Sequence, residues 1–124
     1  MERKADEDAP SRVLIVDDNL QLAENIAEIL EIEGYRTEVS GSAEEALAKA
    51  FAADLDALVT DYRLPGMSGA EFVRTVRQRR ADIHAVVISA YTDDRTVGDA
   101  RAAGAAFLPK PLDLALLRRM VREN

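Results

Sequence analysis

The fold is decided by a short stretch near the start of the chain, Arg12-Val13-Leu14-Ile15-Val16-Asp17-Asp18. The run from Val13 to Val16 is apolar at every position and rich in β-branched residues, which is typical of a strand buried on both faces of a parallel sheet. It then stops abruptly at two aspartates. Functional groups gather outside the carboxyl ends of the strands in open parallel sheets. The stretch therefore predicts a buried strand with acidic residues placed at a functional edge.

The pattern that follows this strand repeats along the chain. Apolar residues recur at three- and four-residue spacings from Leu20 to Ile32, which predicts an amphipathic helix, and Tyr35 to Val39 alternates as an exposed strand does. Further strands are predicted at 55–60, 85–88 and 105–108, with helices after Ser42, after Ser68, from about Asp93 to Ala103 and from near Asp113. Strand–helix units repeated five times predict parallel strands with helices on both faces.

Composition limits the class of protein. The 124 residues fit one compact domain. The absence of cysteine excludes a disulfide framework, a thiolate metal site and a cysteine nucleophile. The net charge of −7 argues against direct nucleic-acid binding, which needs a basic surface.

From the sequence we expect no signal peptide and no membrane-spanning segment. No run approaches the roughly 20 apolar residues that span a bilayer, and the charged opening MERKADEDAP is not a signal peptide. We expect residues 1–11 to be a disordered tail and residues 12–124 to be the folded domain. The cytoplasm is the expected location, without membrane contact.

Chemically active side chains end four of the predicted strands: Asp17 and Asp18, then Asp61, Ser89 and Lys110. Three carboxylates in one crevice repel one another unless a cation joins them. Oxygen ligands favour a hard ion such as Mg²⁺. A carboxylate can also attack phosphorus to form an acyl phosphate, and such a transfer needs mainly positioning and charge neutralisation. Mg²⁺, the ammonium of Lys110, and the Ser89 hydroxyl with a nearby backbone N–H can each cover one phosphoryl oxygen.

Four motifs carry a resemblance to a known family. They are Val13-Leu14-Ile15-Val16-Asp17-Asp18-Asn19, Asp61-Tyr62-Arg63-Leu64-Pro65-Gly66-Met67-Ser68-Gly69, Val87-Ile88-Ser89-Ala90 and Phe107-Leu108-Pro109-Lys110-Pro111. In this order the motifs resemble the receiver domain of two-component response regulators, from about Arg12 to Val121. The resemblance implies an α/β fold of the flavodoxin-like, doubly wound kind: a five-stranded parallel sheet of (βα)5 units with strand order 2-1-3-4-5.

The resemblance also implies the metal and phosphoryl sites. Asp61 matches the phosphoacceptor, Asp18 the direct metal ligand and Asp17 the acidic neighbour that reaches the metal through water. Arg63 stands where a backbone carbonyl ligates the metal. The implied ion is Mg²⁺, with Mn²⁺ as an alternative.

The remaining implied roles concern the phosphoryl group and the switch. Lys110 and the backbone N–H of Ala90 would contact the phosphoryl group, together with Ser89, which matches the switch hydroxyl. Phe107 matches the aromatic residue that moves inward when that hydroxyl is drawn to the phosphate.

Two further implications concern neighbouring residues. Pro111 suggests a cis peptide bond after Lys110. Tyr91 and Arg63 are bulky neighbours of the crevice mouth that modulate the lifetime of the phosphate by obstructing water.

The implied function is a signalling one. A histidine kinase or histidine phosphotransfer protein would phosphorylate Asp61, and the face of the fourth helix, fifth strand and fifth helix would then change. The receiver of a hybrid histidine kinase, or a fused output domain, is compatible with the same motifs. A downstream protein and a phosphorylation-dependent homodimer are further implied partners.

Three alternatives are weaker. An aspartyl phosphatase needs a second aspartate two residues after its nucleophile, where this chain has Arg63, so we expect no enzyme that turns over an outside substrate. A calcium-binding loop at Asp17 would need a glycine-centred twelve-residue loop that is missing. A receiver-like interaction module that has lost phosphorylation disagrees with the intact set of acidic residues, serine and lysine.

Overall fold

The structure is a computed structural model, and it describes residues 11–52 and 55–123. Its strands are β1 (Arg12–Val16), β2 (Arg36–Ser40), β3 (Ala57–Asp61), β4 (His84–Ser89) and β5 (Ala106–Pro109). Its helices are α1 (Leu20–Ile32), α2 (Ala43–Ala52), α3 (Gly69–Arg79), α4 (Asp94–Ala102) and α5 (Leu114–Glu123). Strands and helices alternate in the order that the sequence predicts. The expected tail lies almost wholly outside the described residues.

All five strands belong to one sheet with the order β2-β1-β3-β4-β5 and are parallel at each pairing. Ile15 in β1 lies opposite Val39 in β2 and Val59 in β3. The predicted fold class and strand order are therefore confirmed. Ser11 extends the pairing, because its carbonyl accepts a hydrogen bond of 2.8 Å from the backbone N–H of Arg36.

The core divides into two layers, one on each face of the sheet. Because successive side chains of a strand point to opposite faces, Val13 and Ile15 pack with α1 and α5, whereas Leu14 and Val16 pack with α2, α3 and α4. All four are almost fully buried. This explains why Val13 to Val16 of β1 are all apolar: each of these side chains has a helical layer to contact.

Strand bounds differ from the sequence prediction at the functional edge. Asp61 and Ser89 lie within β3 and β4 rather than after them, since Asp61 is still in register with Ile88 and Ser89 with Pro109. β3 begins at Ala57, two residues later than predicted. The consequence is that two site residues are held by the sheet itself, which fixes them more firmly than a loop would.

Helix starts follow the predicted capping chemistry with one difference. Ser68 and Glu71 form the full capping box at the start of α3. At α2 the Ser42 hydroxyl accepts a hydrogen bond from the N–H of Glu45, but the Glu45 carboxylate accepts from Gly41 instead of Ser42. Within the described residues no helix is both long and apolar enough to cross a membrane.

Phe72 in α3 is the largest side chain with no solvent exposure, and it tests the layer between α3 and the sheet. We expect Phe72→Ala to lower the free energy of unfolding by about 3–5 kcal/mol, because it removes the ring and leaves a cavity. The measurement is urea unfolding followed by circular dichroism. Phe51→Ala is the matched control; Phe51 is 38% exposed and should cost about 1 kcal/mol or less. Equal losses in the two variants would contradict this account of the core.

Candidate functional site

Four strand ends meet at one edge of the sheet and bring the acidic residues together. One carboxylate oxygen from each of Asp17, Asp18 and Asp61 lies within 4.8 Å of the others. Asp17 is 1% exposed and Asp61 8%, whereas Asp18 faces solvent. At that separation and an effective dielectric of about 20, two carboxylates repel by about 3 kcal/mol. The cluster therefore needs positive charge.

Lys110 supplies part of that charge from the end of β5. Its Nζ lies 3.0 Å from Asp61 Oδ1 and 3.5 Å from Asp17 Oδ2. Burial lowers the pKa of Lys110, but the hydrogen bond to Asp61 and the charge of Asp17 raise it by more, so the net displacement is upward. One ammonium faces three carboxylates, and the site keeps a negative excess.

Asp17 shows where further positive charge fits. Burial raises the pKa of Asp17 above its ordinary value, although the hydrogen bond from the backbone N–H of Asn19 (2.9 Å) acts against this. Its Oδ2 is buried and has an ion pair with Lys110 at 3.5 Å but no hydrogen bond. Together with the oxygens of two more carboxylates, it forms the donor set that a hard divalent cation prefers. The residues present therefore fit a divalent metal ion.

The loop after β3 holds the Asp61 carboxylate from the other side. The backbone N–H of Arg63 donates to Asp61 Oδ2 at 3.2 Å, and Arg63 bridges to Ser68 before α3 begins. The position of Arg63 agrees with the expected metal-binding carbonyl, which stays a prediction. The Asp61 carboxylate is thus fixed by Lys110 on one oxygen and by Arg63 on the other.

Gly69 allows this loop to fold back tightly, and its role was missed in the sequence analysis. A Cβ atom placed on Gly69 would lie 2.2 Å from the carbonyl oxygen of Asp61. The N–H of Gly69 also donates to the carbonyl of Tyr62 at 2.6 Å. Only a residue without a side chain permits this approach. The signal in the sequence was a glycine directly after the capping Ser68.

The expected switch residues lie on neighbouring strands. Ser89 is 1% exposed, and its hydroxyl oxygen accepts a hydrogen bond of 2.9 Å from the N–H of Tyr91. Ala90 follows it at the exposed mouth of the site. Phe107 on β5 is half-buried and packs against the layer that contains α4. Ser89 and Phe107 are thus in adjacent strands, with Ser89 nearer the acidic cluster.

The mouth of the site shows the expected cis peptide bond and a contact that was not expected. The peptide bond between Lys110 and Pro111 is cis. The guanidinium of Arg63 lies over the ring of Tyr91, 4.2 Å from its centroid, and Tyr91 is 49% exposed. The stack therefore joins the loop after β3 to the loop after β4 at the mouth of the site.

Fold and site together define the class of protein. It is a small doubly wound α/β domain with an acidic cluster that suits a cation, and with a lysine, at one edge of the sheet. The chain matches the response regulator receiver domain over residues 13–122. A response regulator receiver protein from Anaeromyxobacter sp. (strain Fw109-5) is 45% identical over 102 residues, which are 82% of this chain and 43% of that protein. The chain therefore belongs to the receiver domain family of two-component response regulators.

Solved structures agree with this assignment. A receiver domain protein from Methanospirillum hungatei JF-1 has a TM-score of 0.87 at 30% identity, with 92% of each chain covered. A response regulator from Burkholderia pseudomallei, solved with a phosphorylated aspartic acid, a calcium ion and citrate, has a TM-score of 0.84 at 26% identity. That comparison covers 92% of this chain and 68% of the other. Receiver domains are signalling modules, and the family does not favour an interaction module that has lost phosphorylation.

The chain spans half or less of most of the curated relatives it matches, among them 43% of the Anaeromyxobacter protein and 50% of the transcriptional regulatory protein FixJ of Rhizobium meliloti. The family assignment therefore concerns the domain, and the activity of a whole protein is a matter for proposal.

Gly69 gives a sharp test of the site geometry. We expect Gly69→Ala to lower the free energy of unfolding by about 1–3 kcal/mol, because the added methyl group collides with the Asp61 backbone. Gly98→Ala in α4 is the matched control: nothing lies within 4 Å of the added Cβ, and the change should stabilise the protein by about 0.5–1 kcal/mol. Chemical denaturation measures both. If Gly69→Ala is as well tolerated as Gly98→Ala, the close approach is wrong.

Proposed function

We propose that Asp61 is the phosphoacceptor of this receiver domain and that Mg²⁺, or Mn²⁺ in its place, is bound by Asp17, Asp18, Asp61 and the backbone carbonyl of Arg63. The observation that carries the proposal is the pairing of Asp61 with Lys110 at 3.0 Å beside two further carboxylates. A nucleophile, a cation site and a fixed positive charge are thus present in one place.

The reaction follows from these positions. An oxygen of Asp61 attacks the phosphorus of a phosphohistidine donor; a P–O bond forms, the P–N bond breaks, and the electron pair stays on the imidazole nitrogen. The bound cation supplies neutralisation of charge on a phosphoryl oxygen. Lys110 neutralises another oxygen, while the Ser89 hydroxyl and the Ala90 N–H donate to the third. No outside substrate needs to be turned over.

An apolar groove beside the site suits the donor. It runs between α1 and the loop after β5, and it is lined mainly by Leu22, Ile26, Ile29, Leu112 and Leu114, with Lys110 and Pro111 at its end. A helix docked there would place its phosphohistidine next to Lys110. The occupant we propose is the helical phosphodonor segment of a histidine kinase or a histidine phosphotransfer protein.

The output follows from the hydroxyl of Ser89. When Ser89 turns from the Tyr91 N–H towards the phosphoryl group, it vacates space that Phe107 fills, and the face formed by α4, β5 and α5 changes. Phosphorylation shifts the population between two packings because it contacts them differently. The changed face would contact a downstream protein, a fused output domain or a second copy of the chain.

The phosphoacceptor is tested by labelling with acetyl phosphate in Mg²⁺, followed by intact-protein mass spectrometry. We expect Asp61→Asn to abolish both labelling and beryllofluoride binding, because the amide is not a nucleophile. Asp82→Asn is the matched control: Asp82 lies before β4, at the opposite end of the sheet, and should label as the wild type does. Chelation of the metal should stop labelling of the wild type.

Labelling that persists in Asp61→Asn would contradict the assignment. Labelling that ignores chelation would contradict the metal site while leaving the phosphoacceptor in place.

The contact between Arg63 and Tyr91 leads to a prediction about the lifetime of the aspartyl phosphate. We expect Tyr91→Ala to shorten the half-life of phosphorylated protein by about two- to fivefold, since an exposed cation–π contact of about 0.5–1 kcal/mol then no longer holds the barrier to water. The measurement is decay of the labelled species after removal of the donor. Tyr91→Phe retains the ring and should retain the half-life. An unchanged half-life in Tyr91→Ala would show that the stack does not shield the site.

A further inference from the structure

Tyr62, the residue next to Asp61, connects the phosphorylation loop to α4. Its hydroxyl donates a hydrogen bond of 2.7 Å to Asp99 Oδ2, across 37 positions of sequence. Its half-buried ring packs against the same layer as Phe107. Tyr62 stands in the second of the four receiver motifs, but none of the roles assigned above uses its side chain.

Hydrogen bonds on both sides fix the backbone of Tyr62. Its N–H donates to the carbonyl of Ile88 in β4 at 2.8 Å, and its carbonyl accepts from Gly69 in α3 at 2.6 Å. The Cα of Tyr62 is therefore held in place beside Asp61, and the hydrogen bond to Asp99 fixes the direction of its side chain. Asp99 lies in the second turn of α4 and is partly exposed, while the next residue, Ala100, is buried in the core.

The Tyr62–Asp99 contact joins a neutral donor to a carboxylate acceptor at 2.7 Å. The hydrogen bond to Asp99 raises the pKa of Tyr62 above its usual value, and partial burial and the charge of Asp99 act in the same direction. A hydrogen bond from a neutral donor to a charged acceptor is stronger than one between neutral groups. Tyr62 and Asp99 therefore form a charge-assisted link between a rigid loop and a helix of the output face.

We propose that the Tyr62–Asp99 hydrogen bond is a tether that opposes the switch, because it holds α4 in the packing in which the Ser89 hydroxyl accepts from the Tyr91 N–H. The inference rests on the proposed function, in which Ser89 turns towards the phosphoryl group and the face that contains α4 changes. Tyr62 cannot follow that movement because its backbone is bound to β4 and α3. The bond is complete in the arrangement described here and is lost or lengthened when α4 moves, so it stabilises one of the two packings.

The consequence is measurable as a change in ligand affinity. A hydrogen bond that favours one packing weakens the binding of any ligand that needs the other packing. Removing that hydrogen bond therefore tightens binding by the same factor. We expect Tyr62→Phe to bind beryllofluoride in Mg²⁺ about three- to tenfold more tightly than the wild type, the range that one net hydrogen bond supplies. The ring is retained, so packing against the core layer is unchanged.

Two partner variants sharpen the test. Asp99→Ala should tighten binding by a similar factor, and the double variant Tyr62→Phe/Asp99→Ala should show no more than either single change. Tyr35→Phe is the matched control, because Tyr35 precedes β2 at the opposite end of the sheet from the acidic cluster and should leave the affinity as it is.

Hydrogen exchange provides a readout that does not depend on the ligand. Without beryllofluoride, the amides of α4 should exchange faster in Tyr62→Phe than in the wild type, while those of α1 should not change. An affinity for beryllofluoride that is unchanged or weakened in Tyr62→Phe would overturn the tether. If the wild type binds beryllofluoride and Asp61→Asn does not, an unchanged affinity in Tyr62→Phe overturns the tether alone. If the wild type does not bind beryllofluoride, the proposed function and the tether are overturned together.

Discussion

The ion pair between Lys110 and Asp61 is the interaction on which the functional edge depends. It joins the side chain of Lys110, directly after the edge strand β5, to that of Asp61 at the end of the central strand β3, with 3.0 Å between Nζ and Oδ1. Without the ammonium, three carboxylates would face one another in a crevice where Asp17 has almost no access to water. Burial and mutual repulsion both favour the neutral form of such groups. Lys110 favours the ionised form of these carboxyl groups. Because one ammonium neutralises only one of three negative charges, the cluster still attracts a cation.

The sheet makes this arrangement available and keeps it rigid. Parallel strands deliver all of their carboxyl ends to one edge, so residues far apart in sequence meet without a long loop. Asp61 and Ser89 remain in register with their neighbours, and Gly69 lets α3 close on the Asp61 backbone. Rigid placement suits phosphoryl transfer, where positioning and electrostatics contribute most of the catalysis. In the proposed switch, movement is confined to the loop after β4, α4 and the side chains that contact them.

The sequence predicted the fold well because the relevant signals are local. Apolar patterns, together with capping and stop residues, located the strands and helices. The unbroken apolar run from Val13 to Val16 indicated burial on both faces, which the two helical layers explain. The strand ends were misplaced by one or two residues because pairing registers, such as Asp61 with Ile88, are set by the neighbouring strand. Similarly, the Glu45 carboxylate turned to Gly41 rather than Ser42, a choice that depends on backbone geometry.

Contacts between side chains far apart in the chain could not be predicted from the sequence. The residues of the acidic cluster were found because their types and strand-end positions limit the chemistry, and the receiver motifs added their roles. The contact between Tyr62 and Asp99 has no such signal, since a tyrosine and an aspartate 37 positions apart are common in any chain. The glycine at position 69 was visible, but the distance to the Asp61 carbonyl that makes it necessary was not.

The central claim, that Asp61 accepts the phosphoryl group, is tested most directly by chemical mapping of the modified residue. Borohydride reduces an acyl phosphate to an alcohol and so converts a phosphorylated aspartate into homoserine, which peptide mass spectrometry locates. The account predicts homoserine at position 61, only in protein treated with a phosphodonor and Mg²⁺. Homoserine at Asp17 or Asp18, or at no position in efficiently labelled protein, would contradict it.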